Sequence, residues 1–170
     1  QAFIIDTQWW LRPWTLVTST LAHDPTNLWH LLLNGLFLFF LGPLVERILG
    51  PRRYVTLFLV AGALSGVAQV HLEQALGGSG SALGASGAIN AVFGVLVILL
   101  PKERIYFYGL VPVPMWVAGI IFAAVDALGV LNPASSVGNI AHLSGLALGL
   151  LYGAYVKQDL KSRGLRLVRG

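Results

Sequence analysis

Apolar residues gather into five long runs with short polar connections between them. The runs cover about Leu28–Leu49, Tyr54–Val70, Ser86–Leu100, Val111–Leu131 and Gly138–Val156. Runs of this length and apolarity predict membrane-spanning helices. The third is unusual. From Ser86 to the stop at Pro101-Lys102 it has about 16 residues, roughly 24 Å of helix against a hydrocarbon core of ~30 Å. With one end held at the interface by Lys102 and Arg104, the other end must begin inside the membrane. The stretch before the first run, Gln1–Asn27, is mixed and carries Trp9, Trp10 and Trp14. It predicts an interfacial loop with a short helix. A lipid-facing aromatic belt accounts for each tryptophan singly.

Composition supports the same picture. Of 170 residues, 56% are hydrophobic and 11% charged, against about 25% charged in a soluble domain. The chain is expected to form one membrane domain over 1–170. It divides into an external loop (1–27), five spans (28–156) and a basic cytoplasmic tail (157–170). The net charge of +4 does not point to nucleic acid, because the cations sit at helix ends. There are no cysteines, so neither disulfides nor a thiolate metal site can form. Ten of the eleven cations fall in alternate connections: Arg47, Arg52 and Arg53; Lys102 and Arg104; and Lys157, Lys161, Arg163, Arg166 and Arg169. The opposite connections, 71–85 and 132–137, carry none. This bias predicts a cytoplasmic C-terminus and an external N-terminal loop. The compact chain suggests a prokaryotic cell membrane. Its N-terminal residues do not have the pattern of a signal peptide.

That topology lets depth be estimated. Ser86 lies 16 residues before Lys102, His142 lies 15 before Lys157, and Asn34 and His30 lie 13 and 17 before Arg47. All four fall in a layer roughly 20–26 Å from the cation-rich boundary. Intramembrane polar groups are costly and usually functional. Each has a plainer reading. Ser86 could be a helix cap, Asn34 an interhelical clamp and His30 an interfacial residue. Their shared depth favours a site. Small residues would let the helices meet: Gly84, Gly87, Ala88, Ala91 and Gly94 on one, Ala141, Gly145, Gly149 and Gly153 on the other. A serine hydroxyl needs a base to become a nucleophile, and an imidazole serves near neutral pH. The head of a short helix offers free N–H groups for an oxyanion. No acidic residue is near His142 in sequence, so a Ser-His dyad is expected unless a carboxylate arrives from elsewhere.

Gly84-Ala85-Ser86-Gly87, Ala141-His142-Leu143-Ser144-Gly145 with Gly149, His30-Leu31-Leu32-Leu33-Asn34, and Gly42 with Glu46 resemble the rhomboid intramembrane serine proteases. The motifs fall in family order across most of the chain. The resemblance implies an all-α, polytopic transmembrane bundle around a water-filled cavity open to the outside. It implies Ser86 as nucleophile and His142 as general base. His30, Asn34 and the Ser86 N–H would form the oxyanion hole, and Glu46 would be structural. The loop Gly77–Ala85 would dip into the membrane to deliver Ser86, with Gly84, Gly87 and Gly145 allowing close packing. The substrates implied are transmembrane segments of other proteins, with no metal or organic cofactor.

The chain departs from the family at several points. The family core has six spans and five are present, so the span before the tryptophan-rich loop is expected outside this chain. Thr15 follows Pro13-Trp14, where the family has an arginine after the tryptophan. His23 and His30 stand two residues further apart than the family pattern. Asn90 replaces an aromatic residue that would stack on the base. It could hydrogen-bond His142 or be a packing polar group. Other intramembrane chemistries fit less well. No His-Glu-x-x-His is present, and Asp126 is the one aspartate within a span, read as interfacial near its outer end. No inverted repeat suggests a transporter. The alternative function is an inactive rhomboid-like protein that binds or retains membrane clients. The oligomeric state is left open.

Overall fold

The computed structural model describes residues 2–78, 80–107, 110–132 and 138–164. Arg166 and Arg169 of the basic tail, and 133–137 of the last connection, lie outside the described residues. The fold is the expected all-α transmembrane bundle. A short α1 (Thr15–Leu21) is followed by α2 (Leu28–Leu49), α3 (Pro51–Ala75), α4 (Ser86–Leu99), α5 (Met115–Val130) and α6 (Asn139–Ser162). By length and composition α2, α3 and α6 can each cross a bilayer. Helix α4, with 14 residues, covers roughly 21 Å and cannot do so unaided.

Local chemistry sets the boundaries. Asn27 caps α2, its side chain accepting from the His30 N–H at 3.0 Å. Gly50, at φ +79°, ends α2, and Pro51 opens α3 in its first turn. That places the start of the second span at Pro51, ahead of the expected Tyr54. Arg52 and Arg53 lie in its first turn and are exposed. The fourth span also differs. Val111–Pro114, expected inside it, forms strand β4, and the helix begins at Met115. Two prolines explain the shift, since each lacks an N–H and holds the residue before it extended. Strand β4 pairs antiparallel with β3 (Arg104–Phe107). The Met115 N–H, at the head of α5, donates to the Glu103 carbonyl at 2.7 Å.

The N-terminal segment is tied to the loop before α4. Ile5–Asp6 (β1) pairs antiparallel with Ser81–Ala82 (β2), leaving Ile5 fully buried. The Gln8 N–H and the Arg12 guanidinium hold the Asp6 carboxyl below its usual range. Trp9 Nε1 donates to His71 Nε2 at 3.1 Å, fastening the tryptophan-rich segment to α3.

Helix α4 is the centre of the bundle. Gly87, Ala88, Ile89, Ala91, Val92, Phe93, Gly94, Val95, Leu96 and Leu99 are buried, so its apolar residues serve protein contacts all round. In contrast α2 exposes Leu32, Leu36, Phe39 and Phe40, and α5 exposes Ile120, Val125 and Leu128. Those are lipid-facing positions. Glycine brings α4 and α6 together backbone to backbone. A Cβ on Gly145 would strike the Gly87 carbonyl, and one on Gly149 the Ala91 carbonyl. A Cβ on Gly94 would lie 2.6 Å from the Leu146 carbonyl oxygen.

Gly94→Ala is therefore expected to lower stability by about 1–3 kcal/mol, as overpacking does. Gly35→Ala, where a Cβ meets nothing within 4 Å, should lose nothing and gain up to ~1 kcal/mol of helix propensity. Denaturation in mixed micelles would read both. Equal losses would mean that the α4–α6 contact is not the tight one.

Candidate active site

A cavity of about 860 Å³ opens among the helices at the head of α4. His30, Asn34, Ser86, Asn90, Asp126 and His142 all line it. The four residues of the expected polar layer, His30, Asn34, Ser86 and His142, thus share one cavity, and Asn90 of α4 and Asp126 of α5 join them.

Ser86 is the first residue of α4, preceded by Ala85 at φ −76°, ψ −7° and with no side-chain cap. The N–H groups of this first turn have no carbonyl one turn back within the helix. The loop reaches this point through three left-handed glycines, Gly77 at φ +88°, Gly80 at φ +62° and Gly84 at φ +114°. The Gly84 N–H donates to the Ser19 carbonyl at 2.8 Å, anchoring the loop on α1. The His30 ring lies over Gly84. A Cβ there would come within 2.6 Å of His30 Cε1. Gly84 is needed both for its backbone angle and for this contact.

Asn34, buried on α2, has its Nδ2 3.2 Å from His23 Nε2. The His23 and His30 rings lie 5.5 Å apart. An amide nitrogen carries two donors, so Asn34 keeps one beyond this contact. At the cavity mouth the Thr26 hydroxyl and N–H hold the Asp24 carboxyl below its usual range.

His142 lies one turn into α6, whose start is fixed by α3. Gln69 Oε1 accepts the Ala141 N–H at 2.9 Å, while Gln69 Nε2 donates to Glu73 Oε2 at 3.0 Å. The His142 ring is engaged by α5. Its Nδ1 lies 2.9 Å from Asp126 Oδ1, with the two side chains 18% and 12% exposed.

Two sequence expectations change here. Asp126, read only as a residue near the outer end of its run, is buried against His142, so a carboxylate does arrive from another helix. The 16 residues between them hid the pair, because only helix packing brings α5 beside α6. Asn90 does not reach His142. Its Nδ2 donates back to the Ser86 carbonyl at 3.0 Å, one turn up its own helix. Of the other candidates, Gly87 and Gly145 meet at the α4–α6 contact. Glu46 is exposed, twelve residues beyond Asn34 on α2, and does not line the cavity. Gln69 and His23 have positioning contacts that sequence reasoning missed. A glutamine inside an apolar run, with a glutamate one turn further on, was the available signal for the first.

The Rhomboid domain family model matches residues 11–159. The chain is 30% identical over 159 residues to RHOMBOID-like protein 12, mitochondrial, of Arabidopsis thaliana, covering 85% of this chain and 46% of that protein. It is 31% identical over 157 residues to Rhomboid protein 1, mitochondrial, of Saccharomyces cerevisiae, covering 89% and 44%. It is 32% identical over 155 residues to Rhomboid protease GlpG of Haemophilus influenzae, covering 89% and 73%. The chain spans about half the length of these two mitochondrial relatives and about three quarters of the bacterial one.

Gln69→Leu would leave the buried Ala141 N–H without its acceptor. A loss of about 1–3 kcal/mol is expected from the unpaired donor. Hydrogen exchange should localise the loosening to the first turn of α6. Unchanged protection at Ala141 and His142 would contradict the anchoring role.

Proposed function

The chain belongs to the rhomboid family of membrane proteins, and on that footing we propose that it is an intramembrane serine endopeptidase working through Ser86 and His142. One observation carries the reading. Ser86, at the uncapped head of a buried short helix, shares one cavity with His142, His30 and Asn34. Apolar core packing gives no reason for that set of side chains around open space in a membrane bundle.

In the proposed reaction a substrate transmembrane segment enters from the lipid beside α5 and unwinds locally. His142 takes the Ser86 proton as Oγ attacks the exposed carbonyl carbon. The oxyanion is held by Asn34 Nδ2, by His30 and by N–H groups of the first turn of α4. His142 then protonates the leaving amine, the C–N bond breaks, and an acyl-enzyme remains. Water from the cavity, activated by His142, releases the acid and restores Ser86. Glu46, exposed and remote from the cavity, takes no part in the reaction. Asn90 stiffens the first turn of α4 through the Ser86 carbonyl.

The cation bias supports an orientation with the cavity facing away from the cation-rich side. The relatives are mitochondrial and bacterial alike, so they do not carry the expected prokaryotic source.

Labelling by a fluorescent fluorophosphonate in liposomes tests the reading. Labelling of the parent is expected, and loss in both Ser86→Ala and His142→Ala with the fold intact. A folded parent that does not label would favour the client-binding alternative. Within an active parent, Asn34→Ala should lower kcat on a model transmembrane substrate about 10²–10³-fold, the usual effect of losing one oxyanion donor. A change below threefold would remove Asn34 from the oxyanion hole.

A further inference from the structure

We propose that Asp126 is a positioning residue for His142, so that the base acts within a Ser86–His142–Asp126 relay spread over α4, α6 and α5. The proposal rests on the hydrolase reading above and deepens it. Its starting point is the 2.9 Å approach of Asp126 Oδ1 to His142 Nδ1. A carboxylate at that distance accepts the Nδ1 proton. A neutral imidazole with its proton on Nδ1 has its lone pair on Nε2. That nitrogen is the one left to receive the Ser86 proton. Without Asp126 the ring is free to hold its proton on Nε2, where it cannot act as base toward Ser86.

The surroundings support a second effect. The cavity lining includes the acids Asp24, Glu73 and Asp126 and, among the described residues, neither Lys nor Arg. When the Ser86 proton moves to Nε2, His142 becomes an imidazolium. Its Nδ1–H stays hydrogen-bonded to Asp126, and the Nε2 proton passes to the leaving amine. The positive charge thus forms beside a carboxylate in a low-dielectric wall, where such a pair interacts strongly.

A plainer role is also physical. The pair could do no more than latch α5 to α6. The two roles differ in what they do to the ring. A latch needs contact only, whereas positioning needs one tautomer.

The test uses the full chain in detergent or nanodiscs, with ¹⁵N-labelled histidine and the His142 signals assigned against His142→Gln. At neutral pH the parent is expected to carry its proton on Nδ1 with Nε2 bare. Asp126→Asn is expected to lose that preference and to lower kcat about 10²–10⁴-fold, with KM within about twofold. Asp126→Glu should recover part of kcat. An Nε2–H tautomer in the parent overturns the proposal, and this readout stands even if Asp126→Asn does not fold. Asp126→Asn with near-parental kcat and lowered stability also overturns it, leaving a latch. A parent with the Nδ1–H tautomer that neither labels nor cleaves overturns the hydrolase reading, and the role of Asp126 with it. A labelled, active parent with the other tautomer overturns the role of Asp126 alone.

Discussion

Helices α4 and α6 approach so closely that there is room for hydrogen but not for Cβ. Gly145 faces the Gly87 carbonyl, Gly149 the Ala91 carbonyl, and Gly94 the Leu146 carbonyl. In lipid, burying apolar surface between helices gains little over leaving it in hydrocarbon. Close van der Waals contact along small residues supplies the association instead. That contact sets the distance between the first turns of the two helices, where Ser86 and His142 stand. It also explains how α4 can be short. A helix surrounded by protein need not match the bilayer, and its free first turn opens onto a cavity.

A polar layer inside such a bundle must be closed on itself. Asn34 is paired with His23, Asn90 with the Ser86 carbonyl, Gln69 with Ala141 and Glu73, and His142 with Asp126. Among the described residues no buried side-chain nitrogen or oxygen is left without a partner. Each contact also aims a group. Gln69 holds the residue before His142, and the Gly84–Ser19 bond holds the loop that delivers Ser86. Satisfaction and placement are served by the same bonds, as expected where an unpaired polar group is costly.

The long apolar helices, and a common cavity for His30, Asn34, Ser86 and His142, were legible because apolar run length and distance to the nearest cation both limit where along a helix a residue stands. The start of α5 was harder to read. Val111–Pro114 is as apolar as a span, and only its two prolines and pairing with β3 make it a strand. The small-residue spacing announced that two helices could touch, but not which carbonyls they would meet. Asp126 was illegible for a different reason. Its distance from the end of its run suggested the interface, whereas the direction its side chain takes depends on how α5 sits against α6. The role of Gln69 was illegible for the same reason, since its partner Ala141 lies on another helix.

Stability is a weak reason for the Asp126–His142 pair. Buried ionisable pairs are often no more stable than well-packed apolar side chains of the same volume, because desolvation offsets their attraction. Helix α5 already has other means of attachment. Gly119 packs against Val97 of α4, Gly129 against the Asn139 amide of α6, and Phe122 lies edge-on to Phe37 and Phe93 at 6.1 and 5.3 Å. An apolar residue at position 126 would keep those contacts without placing a carboxylate in the wall of the cavity. What it could not do is constrain a ring nitrogen. The pair is therefore better explained by its effect on the imidazole than by its contribution to the fold. The lipid-exposed face of α5 lies on the same short helix, so the element beside which the proposed substrate would enter also carries the carboxylate hydrogen-bonded to the proposed base.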